Sequence, residues 1–211
     1  MIKILIVDDH AIVRKGLTQI IAETDDMTVS GEAETGMGAL KMVRESTWDI
    51  VLLDISLPDK HGVDILKQLK SEFPKLPFLV LSSYPEDQYA IRSIKAGASG
   101  YVSKQSAPAQ LVTAIRQVAA GRKYVSPALA EQLADAVTIG DFDQNPHQTL
   151  SDREYQTLCM IASGKTLSNI AEELCLSIKT ISVYRARLLE KMRLKNNAEI
   201  THYAIKNHLV E

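Results

Sequence analysis

Cysteine is almost missing from this chain of 211 residues, with only Cys159 and Cys175. Neither has CxxC or Cys/His spacing, which excludes a disulfide framework and a zinc knuckle. Both read as small buried hydrophobes in apolar helical surroundings. Long hydrophobic runs are missing too. None approaches the ~18 apolar residues of a membrane span. The opening stretch, Ile2–Val7, runs straight into Asp8-Asp9 and is too short for a secretory leader. A cytoplasmic protein with no membrane partner is expected. Internal repeats and low-complexity tracts are absent. So is a strong net charge, which is only -2.

That small net charge hides an asymmetry. Residues 1–122 hold 14 Lys and Arg against 15 Asp and Glu, and residues 123–148 hold 1 against 4. Residues 149–211 hold 9 against 7. Between 177 and 195 the basic side chains are Lys179, Arg185, Arg187, Lys191, Arg193 and Lys195, against the single acid Glu190. A local excess of this kind suits a nucleic-acid surface, although many basic helices are simply solvated.

The first part alternates strand and helix. Strand signals fall near 2–7, 27–33, 49–54, 77–82 and 100–103. Between them lie helical periodicities: Ile12/Val13, Gly16/Leu17 and Ile20/Ile21; Ala39/Leu40 and Val43; Val63, Leu66 and Leu69; Ala90/Ile91 and Ile94; Leu111/Val112, Ile115 and Val118. Right-handed βαβ units and one five-stranded parallel sheet follow, a flavodoxin-like α/β domain over 1–122. Residues 123–148 read as a linker with a short helix over 128–137 and a turn-rich acidic stretch to Pro146. From 149 to 211 the chain reads as all-α with four helices. Ser151-Asp-Arg-Glu154 is a capping box, Gly164 closes the first helix, and a helix-turn-helix falls at about 167–186.

Six residues in the first domain follow or close the apolar runs: Asp8, Asp9, Asp54, Ser82, Tyr101 and Lys104. In a parallel sheet they gather at the carboxyl edge, where open α/β folds place their chemistry. Three carboxylates need a counter-charge. Mg²⁺ fits, since it takes one or two carboxylates and keeps other positions for water and phosphate oxygens. Lys104 supplies the rest. An aspartate can also act as a nucleophile on phosphorus. Pro58 and Gly62 shape the loop after Asp54. His10 and His61 lie nearby and read as solvated.

Asp8-Asp9, Asp54 with Pro58 and Gly62, Ser82, and Gly97-Ala-Ser-Gly-Tyr101-Val-Ser-Lys104 together resemble a bacterial response-regulator receiver domain. The resemblance implies that a sensor histidine kinase phosphorylates Asp54. It implies Mg²⁺ held by Asp8, Asp9, Asp54 and the Ser56 carbonyl. Lys104 pairs with the phosphoryl group, and Ser82 with Tyr101 forms the switch, Tyr101 turning inward as Ser82 follows the phosphoryl oxygens. Ser56 and Tyr84 tune the phosphoryl lifetime. One departure is Gln105, where many receivers have proline, so a cis bond is not expected after Lys104.

On a helical wheel, residues 177–193 bury Ile181, Leu188 and Met192. Lys179, Ser182, Val183, Ala186 and Arg187 face out, with Thr180 and Lys191 on a flank. Small outward residues let a helix approach base edges, while Lys and Arg reach phosphates. Leu150-Ser-Asp-Arg-Glu154, Ile170-Ala171-Glu172-Glu-Leu174 and Leu176-Ser177-Ile-Lys179-Thr180-Ile181 resemble a LuxR-type helix-turn-helix. Over nearly the whole chain the combination resembles a NarL/FixJ-family two-component response regulator. The resemblance implies a transcription regulator that binds double-stranded DNA and forms a homodimer when phosphorylated, with RNA polymerase a further candidate partner. It implies no enzyme activity apart from Mg²⁺-dependent phosphorylation and dephosphorylation of Asp54 itself. Two other readings use the same residues. One is a Mg²⁺-dependent phosphatase or phosphotransferase for small molecules, which leaves the basic C-terminal domain unexplained. The other is a DNA-binding or interaction module without phosphorylation.

Overall fold

A computed structural model describes residues 1–83, 86–126, 129–131, 146–207, 209 and 210. The chain divides into two compact units, Met1–Leu133 and Ala134–Glu211. In the first, the apolar runs form β1 (Ile2–Val7), β2 (Met27–Ala33), β3 (Ile50–Asp54), β4 (Phe78–Ser82) and β5 (Gly100–Ser103). All pairings are parallel, in the order β2-β1-β3-β4-β5. Ile4–Val7, Ile50–Leu53 and Phe78–Leu81 are buried without interruption, as strands covered on both faces must be. The edge strand β2 is partly exposed instead. Parallel pairing puts the ends of β1, β3, β4 and β5 at one edge of the sheet.

Five helices cover the sheet: α1 (Ala11–Ala22), α2 (Gly36–Glu45), α3 (Gly62–Glu72), α4 (Glu86–Lys95) and α5 (Pro108–Ala119). On one face Leu17 and Ile21 of α1 join Leu111, Ala114, Ile115 and Val118 of α5 over Ile4, Ile6, Leu52 and Leu79. Two helices keep most of the inward stripe their apolar residues suggested but add polar residues to it. In α1 the inward residues are Arg14, Leu17 and Ile21. Ile12 is 87% exposed and Gly16 is open. In α4 the buried residues include Tyr89, Ala90 and Ser93, with Ile91 and Ile94 only half-buried. A polar side chain with a partner inside can displace an aliphatic one from the inward stripe.

The loop after β3 is tightly held. A Cβ on Gly62 would lie 2.1 Å from the Asp54 carbonyl oxygen and 2.7 Å from the Ile55 Cα. Only glycine permits that approach, which lets the Gly62 amide donate to the Ile55 carbonyl at 2.7 Å. At the far end of this unit, packing continues past residue 122. Tyr124 bridges to Gly100 and its amide donates to the Ser99 carbonyl at 2.9 Å. Of the helix expected over 128–137, residues 129–131 are helical. The rest of it, and 140–145 of the turn-rich stretch, lie outside the described residues.

The second unit opens with a 3₁₀ turn, Pro146–Thr149, which the turn-rich sequence did not suggest. Four helices follow: α6 (Asp152–Ala162), α7 (Leu167–Glu173), α8 (Ile178–Met192) and α9 (Asn197–Lys206). The capping box forms at α6, and Gly164 adopts φ +82° just past its end. Thr166, Ser177 and Asn196 cap the other three through their side chains. Between α7 and α8 the turn closes with Leu176 N–H donating to the Ala171 carbonyl at 2.8 Å. Cys175 takes φ +52° there and is exposed, not the buried hydrophobe expected, while Cys159 is buried. No helix among the described residues is long and apolar enough to cross a membrane.

One ion pair ties α8 to the start of α6. Lys191 Nζ lies 2.6 Å from Glu154 Oε2, and the Glu154 side chain is only 3% exposed. Glu154 also accepts from the Ser151 amide at 2.8 Å. Burial disfavours its charge, but Lys191 and Ser151 outweigh that and hold its pKa below the ordinary glutamate value.

Two outcomes are expected. Gly62→Ala should lower the stability of the first unit by about 1–3 kcal/mol through overpacking against rigid backbone, read by urea or thermal unfolding. Glu154→Gln should destabilise the second unit at neutral pH. A depressed folded-state pKa contributes stability above the unfolded value, about 4.3, and loses it as pH falls through the folded one. The difference in melting temperature between wild type and Glu154→Gln should therefore shrink below that pH and not above it.

Candidate functional site

The strand ends bring Asp8, Asp9, Asp54 and Lys104 together. Asp8 and Asp54 are buried, and Asp9 is exposed. Lys104 Nζ sits between the two buried acids, 2.6 Å from Asp8 Oδ2 and 2.8 Å from Asp54 Oδ2. The Ser56 amide donates to Asp54 Oδ1 at 3.2 Å, and the His10 amide to Asp8 Oδ1 at 2.9 Å. One ligand atom from each of Asp8, Asp9, His10 and Asp54 falls within a 4.8 Å cluster. His10 is exposed as expected, yet its Nδ1 lies 2.7 Å from Asp9 Oδ1.

Burial pushes the Asp54 pKa up, Lys104 pulls against it, and Asp8 adds to the rise. For Lys104, burial favours the neutral amine, but Asp54 and Asp8 outweigh it and raise the pKa. One ammonium among three carboxylates leaves negative charge uncompensated in a poorly solvated place. Oxygen donors with that charge fit a small hard dication such as Mg²⁺. The backbone of Lys104 is fixed by its own amide, which donates to the Ser82 carbonyl at 2.7 Å. No peptide bond among the described residues is cis, in keeping with Gln105 after Lys104.

Ser82 and Tyr101 are both fully buried. Tyr101, expected to turn inward with a phosphoryl group, lies inside in this structure. A tyrosine ring carries roughly 150–250 Å² to bury, worth about 25 cal/mol per Å².

Three residues near the site carried little signal in the sequence. Asp59 read only as part of a turn. Its carboxylate accepts from the Gly36 and Met37 amides at 2.8 Å each and from Lys60 N–H at 2.9 Å. It thereby ties the loop after Asp54 to the start of α2. Burial works against its charge, but these bonds bring its pKa below the ordinary value. His61, expected to be solvated, is 1% exposed. It caps α3, accepting from Val63 N–H at 3.3 Å, with its ring centroid 5.8 Å from that of Tyr89 on α4. A ring at a helix start is buried when the next helix packs over it. Arg14 is the third, a buried polar residue on the inward stripe of α1 that the apolar periodicity did not point to. Tyr84 lies outside the described residues.

On α8, Ile181, Leu188 and Met192 are buried. Lys179, Ser182, Val183, Ala186 and Arg187 are exposed, and Thr180 is half-buried with Oγ1 2.8 Å from Ser177 Oγ. Lys191 is exposed on the flank as expected, with its ammonium paired to the buried Glu154 carboxylate of α6. The other basic groups exposed on this helix and its end include Lys179, Arg187, Arg193 and Lys195.

Comparison with known proteins agrees with both halves. Residues 4–116 match the family of response regulator receiver domains, and residues 148–204 match the luxR family of bacterial regulatory proteins. The response regulator GacA of Pseudomonas aeruginosa is 37% identical over 211 residues, covering 100% of this chain and 99% of GacA. The response regulator UvrY of Escherichia coli is 35% identical over 209 residues, covering 99% of this chain and 96% of UvrY. Among solved structures, RcsB from Salmonella enterica serovar Typhimurium, bound to promoter rprA in the presence of the phosphomimetic BeF3-, is similar with a TM-score of 0.63. It is 26% identical and matches over 96% of this chain and 97% of its own. Identity at this level over the full length, with both family matches in order, means that the chain belongs to the NarL/FixJ-type response regulators, which join a receiver domain to a LuxR-type DNA-binding domain.

Proposed function

We propose that Asp54 is the phosphoacceptor and that its phosphorylation controls DNA binding by α8. The observation that carries this reading is Lys104 Nζ poised between Asp8 and Asp54 at the carboxyl edge of the sheet. The donor is a phosphohistidine of a sensor histidine kinase. An Asp54 carboxylate oxygen attacks phosphorus, the O–P bond forms, and the P–N bond breaks with its electron pair and a proton going to the imidazole. Asp8, Asp9, Asp54 and the Ser56 carbonyl would hold Mg²⁺, whose charge would offset that of the phosphoryl oxygens. Lys104 exchanges its contact with Asp54 Oδ2 for one with a phosphoryl oxygen. Ser82 hydrogen-bonds another. Loss of the phosphoryl group to water resets the site, with Ser56 and Tyr84 governing water access.

The switch is a population shift that the phosphoryl group biases by a few kcal/mol of differential contact. As Ser82 follows the phosphoryl oxygens, the inward position of Tyr101, which is buried in this structure, becomes the favoured one. The shifted population favours a homodimer. That sets two α8 helices about one DNA turn apart on double-stranded DNA. The domains that carry these roles are residues 1–122 and 149–211, joined by 123–148. The protein works in the cytoplasm, with RNA polymerase as the partner that receives its output.

Incubation with acetyl phosphate and Mg²⁺ should add one phosphoryl mass to the wild-type protein. Asp54→Ala should add none, and neither should wild type in EDTA. Ser82→Ala should still gain the mass but not dimerise on gaining it. A labelled Asp54→Ala would refute the assignment.

For DNA, Lys179→Ala should weaken binding to all sequences alike and lower the salt slope by roughly one. Substituting Val183 or Ala186 should instead change the preferred sequence, by about 1–3 kcal/mol per lost base contact. Lys191→Ala should act mainly by lowering the stability of the second unit, since its ammonium is committed to Glu154. Binding-site selection at two salt concentrations, with unfolding curves, separates the three.

A further inference from the structure

We infer that Arg14 is the positioning residue that holds Asp8 in its metal-binding conformation. The inference rests on the reading of Asp8, Asp9 and Asp54 as a Mg²⁺ site. Arg14 is on the inward stripe of α1, between the buried Leu17 and the loop that carries Asp8, and is only 8% exposed. Its guanidinium is fully engaged. Nη1 donates to the Asp8 carbonyl at 2.8 Å, Nε donates to Glu32 Oε2 at 3.0 Å, and Nη2 donates to Glu34. Thr18 steadies Glu32 from the next turn of α1, at 3.4 Å. One planar fork thus joins the end of β1, the end of β2 and the residue just beyond it.

Stability alone accounts poorly for this arrangement. The guanidinium is buried, but its partners Glu32 and Glu34 are 42% and 69% exposed, and pairs with such solvated carboxylates contribute little. What the guanidinium adds is a fixed peptide. The Asp8 amide donates to the Ala33 carbonyl at 3.0 Å, and Arg14 takes the Asp8 carbonyl. Both backbone groups of Asp8 are therefore held, and its carboxylate lies against the His10 amide and Lys104. Glu32 and Glu34 more than cancel the guanidinium charge, so it does not repel a nearby cation. Lysine could not replace it, because a single ammonium lacks the geometry to bond three separated acceptors. Groups that orient a metal ligand in this way typically change metal affinity by about 10–100-fold when removed.

The test is a calorimetric Mg²⁺ titration of the full-length protein without any phosphodonor, together with melting curves in EDTA and in Mg²⁺. Wild type should bind one Mg²⁺, and Asp9→Ala should bind it weakly. Arg14→Met should raise the dissociation constant by about 10–100-fold and lose most of the melting shift that Mg²⁺ gives wild type. Arg14→Lys should recover part of the affinity through the Asp8 carbonyl. A folded Arg14→Met with the wild-type dissociation constant overturns the inference. If Arg14→Met does not fold, Glu32→Ala/Glu34→Ala carries the test, since it frees the guanidinium while leaving α1 intact. Wild-type affinity in that folded variant overturns the inference equally. Absence of Mg²⁺ binding by wild type overturns the metal-site reading itself, a result distinct from either variant outcome.

Discussion

Everything in the first unit is organised around negative charge that water cannot fully screen. Asp8 and Asp54 are buried within reach of a single ammonium, Lys104, and Asp9 stands beside them. Such a cluster persists only where the surrounding chain leaves it no alternative. Parallel pairing aligns the strand ends, and the Lys104 amide is held on the Ser82 carbonyl. The absence of a side chain at Gly62 lets the loop fold back on Asp54, and Asp59 fastens that loop to α2. Each contact limits the carboxylates' freedom to separate. Close carboxylates with a single ammonium leave negative charge uncompensated at this edge of the sheet.

The second unit solves a different problem, which is to hold an exposed helix at a fixed angle. The buried face of α8 supplies apolar contact, but apolar contact alone is non-directional. The Lys191–Glu154 pair supplies direction by fixing the last turns of α8 to the capping box of α6. The left-handed residues Cys175 and Arg193 end α7 and α8 abruptly, so that each short connection turns within a few residues. The outward face then needs no rigid support of its own. Its small residues and flexible basic chains can adapt to the surface they meet.

Not every element was equally legible. The strands, the parallel sheet and the capping box follow from local patterns in which side-chain period and cap chemistry point the same way. Where a helix offered both aliphatic and polar inward positions, pattern alone missed the polar ones. In α1 Ile12 looked internal but is exposed, while Arg14 lies inside, where three acceptors meet it. His61 looked solvated and is covered by Tyr89 of α4. Lys191 looked free and is bound by a carboxylate 37 residues earlier in the chain. In each case the deciding partner is remote in sequence and adjacent only after folding.

By itself, the sequence determined the chemistry available and where along the chain it occurs. Asp8, Asp9, Asp54, Ser82, Tyr101 and Lys104 each end or follow a buried run, and β-strands that pair in parallel must bring such ends together. The small and basic residues of α8 were likewise placed on one face by helical period alone. The tertiary structure decided which charges find each other. It set Lys104 between two acids, committed Lys191 to Glu154, turned Arg14 onto the Asp8 carbonyl and closed Tyr101 into the interior. Those outcomes depend on distances of a few ångströms between elements far apart in sequence. Coulombic and hydrogen-bond energies change steeply over that range, and no local pattern records it.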